Sequence, residues 1–303
     1  MILSRAGLRA AYPETKELRQ GKDDKALKPV PDGPPPAPTV QRLRVRYAKR
    51  GRLRFTSHRD ISRAVERAVR RADIPVAYSA GFSPHPKISY AGAAPTGVAS
   101  EAEYLEIGVT TPCDPQQVRT DLDGSLPPGL DVLVVVEAGP GALADRLEVS
   151  EWEVRLRDAD RDLAVTAVEK FLAAGTVEVE RLMKKGPRRF DAREAVLRLT
   201  VPEGAEGTEG TEGTEGTAAQ VAGQSCVILR MVVRHMTPAV RPDDVLTGLR
   251  LVADFAPPVP PEVTRLAQGP LDDSTGALAD PLDLDRETTR GGEAGPAGEH
   301  DVG

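Results

Sequence analysis

The first sustained alternation along the chain runs through Leu43, Val45 and Tyr47, interleaved with Arg42, Arg44 and Arg46. A period of two puts one set on each side of an extended backbone, which predicts a half-buried strand. Gly51 marks a bend, after which Leu53 and Phe55 resume the apolar face. Ser57 to Asp60 reads S-x-x-D, close to a capping box, and Ile61, Val65, Ala68, Val69 and Ala72 continue at helical spacing. The run Asp73-Ile74-Pro75 ends that helix, and Val76, Ala77 and Tyr78 start a second strand. A loop with Gly81, Pro84, Pro86, Pro95 and Gly97 precedes a strand over Glu103 to Val109. Asp114 and Pro115 open a short helix that stops near Gly124, and the β-branched run from Leu130 to Glu137 predicts a buried strand.

The second half varies the same order. Trp152, Val154 and Leu156 alternate as a strand, and a helix over 160–174 carries Leu163, Ala167, Val168, Phe171 and Leu172 on one face. Val177 and Val179 lead into the basic turn RLMKKGPRRFD. Strands over 195–201 and 227–233 flank a low-complexity acidic insertion, and a helix from Pro242 and a short edge strand over 263–266 complete the set. Strand, helix, strand, strand, helix, strand is the order of a split βαβ, or ferredoxin-like, unit. The fold class is therefore α+β, with two tandem ferredoxin-like units over 40–140 and 150–268.

Composition sets the margins. Residues 1–39 end in the proline-rich run PVPDGPPPAP, 202–222 hold the EGT repeats, and 269–303 are strongly acidic, so all three read as disordered. No apolar run suits a signal peptide or a membrane span, which suggests a cytoplasmic protein with no membrane partner. Cys113 and Cys226 lie far apart and offer no metal-ligand or redox spacing, so no metal or cofactor is expected.

Charge changes the picture more. The chain has net charge -6, yet the segment from Arg42 to Lys87 is crowded with arginines and holds only Asp60, Glu66 and Asp73 against them. Placed positive charge of this kind suits a phosphate backbone, or alternatively a solvated face. Candidate contacts are Arg54, Ser57, His58, Arg59 and Arg63 around the helix start, and Ser83, His85 and Lys87 in the loop. Lys184, Lys185, Arg188 and Arg189 form a second basic turn. His58 and His85 are also candidates for acid–base work on RNA, if the fold brings them together. The helix start and the loop are expected to meet at one end of the first sheet and bind an anion. Tyr78, Phe82 and Tyr90 suit either a core poor in aromatics or a base-stacking surface.

The motifs FTSHRD and Y-S-x-G-F-S-P-H-P-K, with RLMKKGPRRFDAR and RPDDVL further on, resemble the radical SAM-linked proteins of unknown function over residues 41–268. That resemblance implies a companion of a radical SAM enzyme. The chain lacks a C-x-x-x-C-x-x-C motif and is not expected to hold the iron–sulfur cluster itself. Three functions remain open: an RNA-binding or substrate-presenting accessory of such an enzyme, a metal-independent RNA-processing enzyme using His58 and His85, and a protein-interaction scaffold.

Overall fold

The computed structural model describes residues 35–183, 186–203, 226–272 and 274–286. The expectations for 1–34, most of the 202–222 insertion, Lys184, Lys185 and 287–303 lie outside the described residues. In the first half the chain forms β1 (Gln41–Lys49), α1 (His58–Arg71), β2 (Ile88–Ala91), β3 (Ala99–Val109), α2 (Pro115–Ser125) and β4 (Leu130–Glu137). The second half forms β5 (Val149–Arg157), α3 (Arg161–Ala173), β6 (Glu178–Met183), β7 (Gly186–Asp191), β8 (Val196–Thr200), β9 (Cys226–Arg234), α4 (Pro242–Ala253) and β10 (Glu262–Gly269).

The result is a mixed α+β protein dominated by one eight-stranded sheet, in the order β4-β1-β3-β10-β5-β9-β8 with β2 also on β3. The separate pair β6-β7 stands off as a hairpin. Pairing is antiparallel within each half, and the halves join through a short parallel contact, Thr264 beside Ala99 and Arg265 beside Ser100. β2 and β10 therefore share one edge of β3, β2 along residues 104–107 and β10 at 99 and 100.

Apolar side chains on one face of the sheet explain the helices. Leu43, Val45, Leu105 and Ile107 meet Ile61, Val65 and Val69 of α1 and Val118 and Leu122 of α2. In the second half Val154, Leu156 and Leu229 meet Phe171 of α3 and Leu249 of α4. Each such fully buried side chain contributes roughly 1.5–3 kcal/mol. α3 and α4 approach closely because Gly248 has no side chain, and a Cβ there would stand 2.6 Å from the Phe171 ring. α2 and α4 also begin alike, each with proline in its first turn and a buried valine and leucine four residues apart.

Several expectations are corrected. The second strand is Ile88–Ala91, because 76–78 crosses the end of β3 with bridges only at Val76 and Tyr78. Residues Gly51–Phe55 form a 3-10 turn that leaves Phe55 61% exposed, not on an apolar face. The edge strand expected near 263–266 lies between β3 and β5, and its polar pattern misleads because Arg265 and Gln268 are buried with internal partners. The acidic tail is folded as far as residue 286: Leu282 is buried, and Asp285 is buried against Arg44 and Arg146.

The join between halves is polar. Arg265 is ion-paired to Glu103 and donates to Ser100 Oγ and Gln268 Oε1, both at 3.3 Å, with its guanidinium 5.5 Å from the Trp152 ring centre. The Ala94 N–H donates to the Glu103 carboxylate at 3.1 Å, and Gln268 Nε2 donates to Ala102 O at 2.6 Å. Lys49 donates to the carbonyls of Ala94 and Pro95 at 3.3 and 3.1 Å, and burial holds its amine below the usual lysine range, opposed by Glu103. Next to this join, the His235 imidazole lies 2.6 Å from both Leu147 O and Ser150 Oγ. A carbonyl only accepts, so Nδ1 carries the proton and Nε2 accepts from the Ser150 hydroxyl.

Two stability predictions follow from these contacts. Glu103→Ala leaves the Arg265 guanidinium buried and unpaired, which should cost about 3–5 kcal/mol in urea unfolding. The double change Glu103→Leu with Arg265→Met should recover most of it, and a loss below about 1 kcal/mol in the single variant would refute the fastening role. Burial pushes His235 below its ordinary value, with the Leu147 carbonyl opposing and Arg265 adding to the shift. The unfolded chain then binds the extra proton first, so this stability is complete above about pH 6.5 and is lost as pH falls below it. Urea midpoints between pH 8 and 5 should fall more steeply for the wild type than for His235→Gln, and parallel curves would contradict the assignment.

Candidate nucleic-acid interface

Much of the positive charge in the 42–63 stretch is already matched by the chain's own carboxylates. Arg44 pairs with Glu106 and Asp285, Arg46 with Asp280, and Arg50 with Glu101 and Asp131. Lys49 is buried. What remains for a ligand is the charge on the 3-10 turn and on α1.

The turn begins at Gly51, whose φ of 54° suits glycine, and carries Arg52 and Arg54 before Phe55. The Arg54 guanidinium lies over the Phe55 ring at 4.8 Å, and its Nε is buried with no hydrogen-bond partner among the described residues. Ser57 caps α1 by accepting the Asp60 N–H at 3.3 Å. The Asp60 carboxylate takes the Ser57 hydroxyl at 2.7 Å, in place of the backbone contact a full capping box would make. His58 stands edge-on to Tyr90 of β2, ring centres 4.9 Å apart. Burial raises the Tyr90 phenol, pushed up to about 12, with Ser62 acting the other way.

Along the exposed side of α1, Arg63 pairs with Asp60 at 3.6 Å and Arg70 with Glu66 at 3.8 Å. Exposed pairs of this kind hold their arginines weakly. Arg52, Arg59 and Arg67 are exposed and make no ion pair among the described residues. Arg54, Ser57, His58, Arg59 and Arg63 thus gather at one corner, joined by Phe55.

The loop residues form a second cluster. Ser79 N–H donates to His85 O at 2.9 Å and His85 N–H to Ser79 Oγ at 3.0 Å, so the intervening chain bulges out with Phe82 71% exposed and Ser83 beside it. Lys87 Nζ donates to Thr39 Oγ1 at 3.2 Å, and Gly108 makes room for Thr39 beneath. His85 and Lys87 line a cavity of about 370 Å³ with Arg42, Ser89 and Glu106.

The two clusters do not meet. β1 and β2 each pair antiparallel with β3, so they run parallel, and a helix crossing between parallel strands starts at the opposite end from the loop that enters the second strand. His58 accordingly reaches Tyr90, whereas His85 precedes β2, with roughly 16 Å of near-extended chain between residues 85 and 90. The expected single anion site, and the pairing of His58 with His85 for catalysis, are corrected on this ground. Tyr78 and Tyr90 pack against the core, while Phe82 does not. Arg188 and Arg189 sit on the β6-β7 hairpin, where Arg189 pairs with Glu180 at 2.8 Å. Among the described residues no group of His, Cys, Asp and Glu could hold a metal, and no helix is long and apolar enough to cross a membrane.

No curated protein matches the chain. Among solved structures, the crystal structure of an unknown protein from Galdieria sulphuraria is 16% identical, covering 74% of this chain and 98% of that one, with a TM-score of 0.20. The bacterial family described as "Uncharacterized protein conserved in bacteria (DUF2344)" matches residues 42–242, most of the chain, and the chain belongs to that family.

Proposed function

We propose that the protein binds single-stranded RNA and presents it, as an accessory, to a radical SAM enzyme. The observation that carries the RNA reading is the pair Arg54 and Phe55: an exposed aromatic ring with a guanidinium against it, beside Arg52 and Arg59, which make no ion pair among the described residues. Unstacked bases lie on rings and on arginine planes, and unpaired cations track the phosphates. In a chain with only 4% aromatic residues, leaving both Phe55 and Phe82 exposed has no packing purpose. The radical SAM partnership rests on the motif resemblance.

The finer architecture belongs to the same proposal. Strand orders β4-β1-β3-β2 and β10-β5-β9-β8 are what two split βαβ units would give, fused edge to edge into one sheet. Helices cover one face of such units and leave the other for ligands. The RNA-processing alternative needs His58 and His85 within reach of one phosphate, which their placement does not favour. A scaffold reading through the acidic tail is likewise disfavoured, because the described part of that tail is engaged with the chain's own arginines.

Anisotropy of a labelled 20-nucleotide single-stranded RNA tests the reading. Phe55→Ala should weaken binding about tenfold at low salt through lost stacking. Arg59→Ala should lower the slope of log affinity against log salt by about 0.7, the value for one phosphate contact on a single strand. Melting temperatures should stay unchanged in both, because neither residue is in the core. Wild-type affinity in both variants, or no binding by the wild type, would refute the proposal.

A further inference from the structure

The face of the sheet opposite the helices carries a second set of groups suited to RNA, and the chain covers them with its own acid. Along β1 the side chains that point away from the core are Arg42, Arg44 and Arg46, and on β3 the corresponding positions are Tyr104 and Glu106. Residues 270–272 and 274–286 leave β10 and fold back across this face. Leu282 packs with Tyr104, Leu143 and Leu147. Asp285 occupies a built anion site, with its carboxylate accepting from Arg44 Nη1 at 2.7 and 3.0 Å, from Arg146 Nη1 at 2.9 Å and from the Gly139 N–H at 2.9 Å. Asp280 lies 3.8 Å from Arg46, and Arg146 also donates to Pro281 O at 2.8 Å.

We propose that this segment is an acidic strap standing in for a nucleic-acid strand, and that single-stranded RNA displaces it to reach Tyr104, Arg44, Arg46 and Arg146. The proposal rests on the RNA-binding reading above. Two guanidinium groups and a backbone N–H around one carboxylate are the donors that would surround a phosphate. Tyr104 is 2% exposed beneath Leu282, Leu143 and Leu147, so loss of Leu282 uncovers part of its ring, and a tyrosine flanked by arginines offers a stacking surface for an unpaired base. Arg42, 63% exposed on its side chain, continues the row from under the strap toward the cavity of His85 and Lys87, which gives an incoming strand a place to start.

The strap's hold suits displacement. Its described residues contribute Asp272, Asp280, Asp283 and Asp285 against Arg286, one short helical turn at 283–286, and Leu282 as its fully buried apolar side chain. Asp283 and Asp280 pair with Arg286 within the strap, so its charged hold on the sheet is Asp285 on Arg44 and Arg146 with Asp280 near Arg46, and a polyanion competes directly for those arginines. RNA affinity is then reduced by the fraction of time the strap is closed.

Hydrogen exchange on the full chain, with and without the saturating 20-nucleotide RNA, tests this. Amides in 278–286 should exchange faster with RNA bound, and Leu282→Ala, which loosens the strap without altering charge, should tighten RNA binding by about tenfold. Asp280→Asn, which removes the strap carboxylate beside Arg46, should tighten it in the same direction while the melting temperature holds. If RNA binds and Arg59→Ala weakens it, yet strap exchange is unchanged and these variants bind like wild type, the strap is a permanent part of the fold and the proposal fails alone. If no variant binds RNA, both readings fail.

Discussion

The buried pairing of Arg265 with Glu103 is the constraint on which the rest of the molecule depends. The two halves meet through a parallel contact of only two residue pairs, too short to fix their relative position by backbone hydrogen bonds. Buried ions are costly unless every donor and acceptor is met, and here the guanidinium finds Glu103, Ser100, Gln268 and the Trp152 ring. Satisfied in one geometry only, the network sets which part of β3 faces β10. It also anchors the 92–98 loop, since the Glu103 carboxylate, Lys49 and Gln268 all bind backbone groups between Gly92 and Pro95.

That economy extends to the functional surface. Arginines between residues 44 and 67 are divided between those paired with the sheet's and strap's carboxylates and those left on the turn and helix that follow β1. The internal set, Arg44, Arg46 and Arg50, is matched by carboxylates from β3, β4 and the C-terminal strap. The unmatched set, Arg52, Arg59 and Arg67, stands on the turn and helix that follow. Unmatched cations repel one another in the free protein, and a phosphate backbone relieves that repulsion. Phe55 sits among them at a position where a 3-10 turn, rather than a continued strand, turns its ring outward.

Local patterns in the sequence were sufficient for β1, α1, α2, β4 and α3, because each carries its own periodicity and caps. Ser57, Asp114 and Asp160 cap the predicted helices, although Asp60 bonds the Ser57 hydroxyl rather than its backbone. The errors lie where a distant partner decides the outcome. Val76 to Tyr78 has strand composition, yet the edge of β3 is taken further along by Ile88–Ala91. Arg265 and Asp285 look like surface residues, and their partners lie 162 and 241 positions away. His235, fixed between Leu147 and Ser150, carries no spacing signal at all. The separation of His58 from His85 follows from β1 and β2 running parallel with α1 crossing between them, which is a property of topology rather than of either motif.

The central claim is that nucleic acid is read by the groups the fold leaves unmatched. Ultraviolet crosslinking of single-stranded RNA to the full chain, with the adducted peptides identified by mass spectrometry, tests it most directly. The account predicts adducts on the peptides spanning residues 52–63 and 79–89, centred on Phe55 and Phe82. Adducts confined to the β6-β7 hairpin, or none under conditions where RNA is bound, would contradict it.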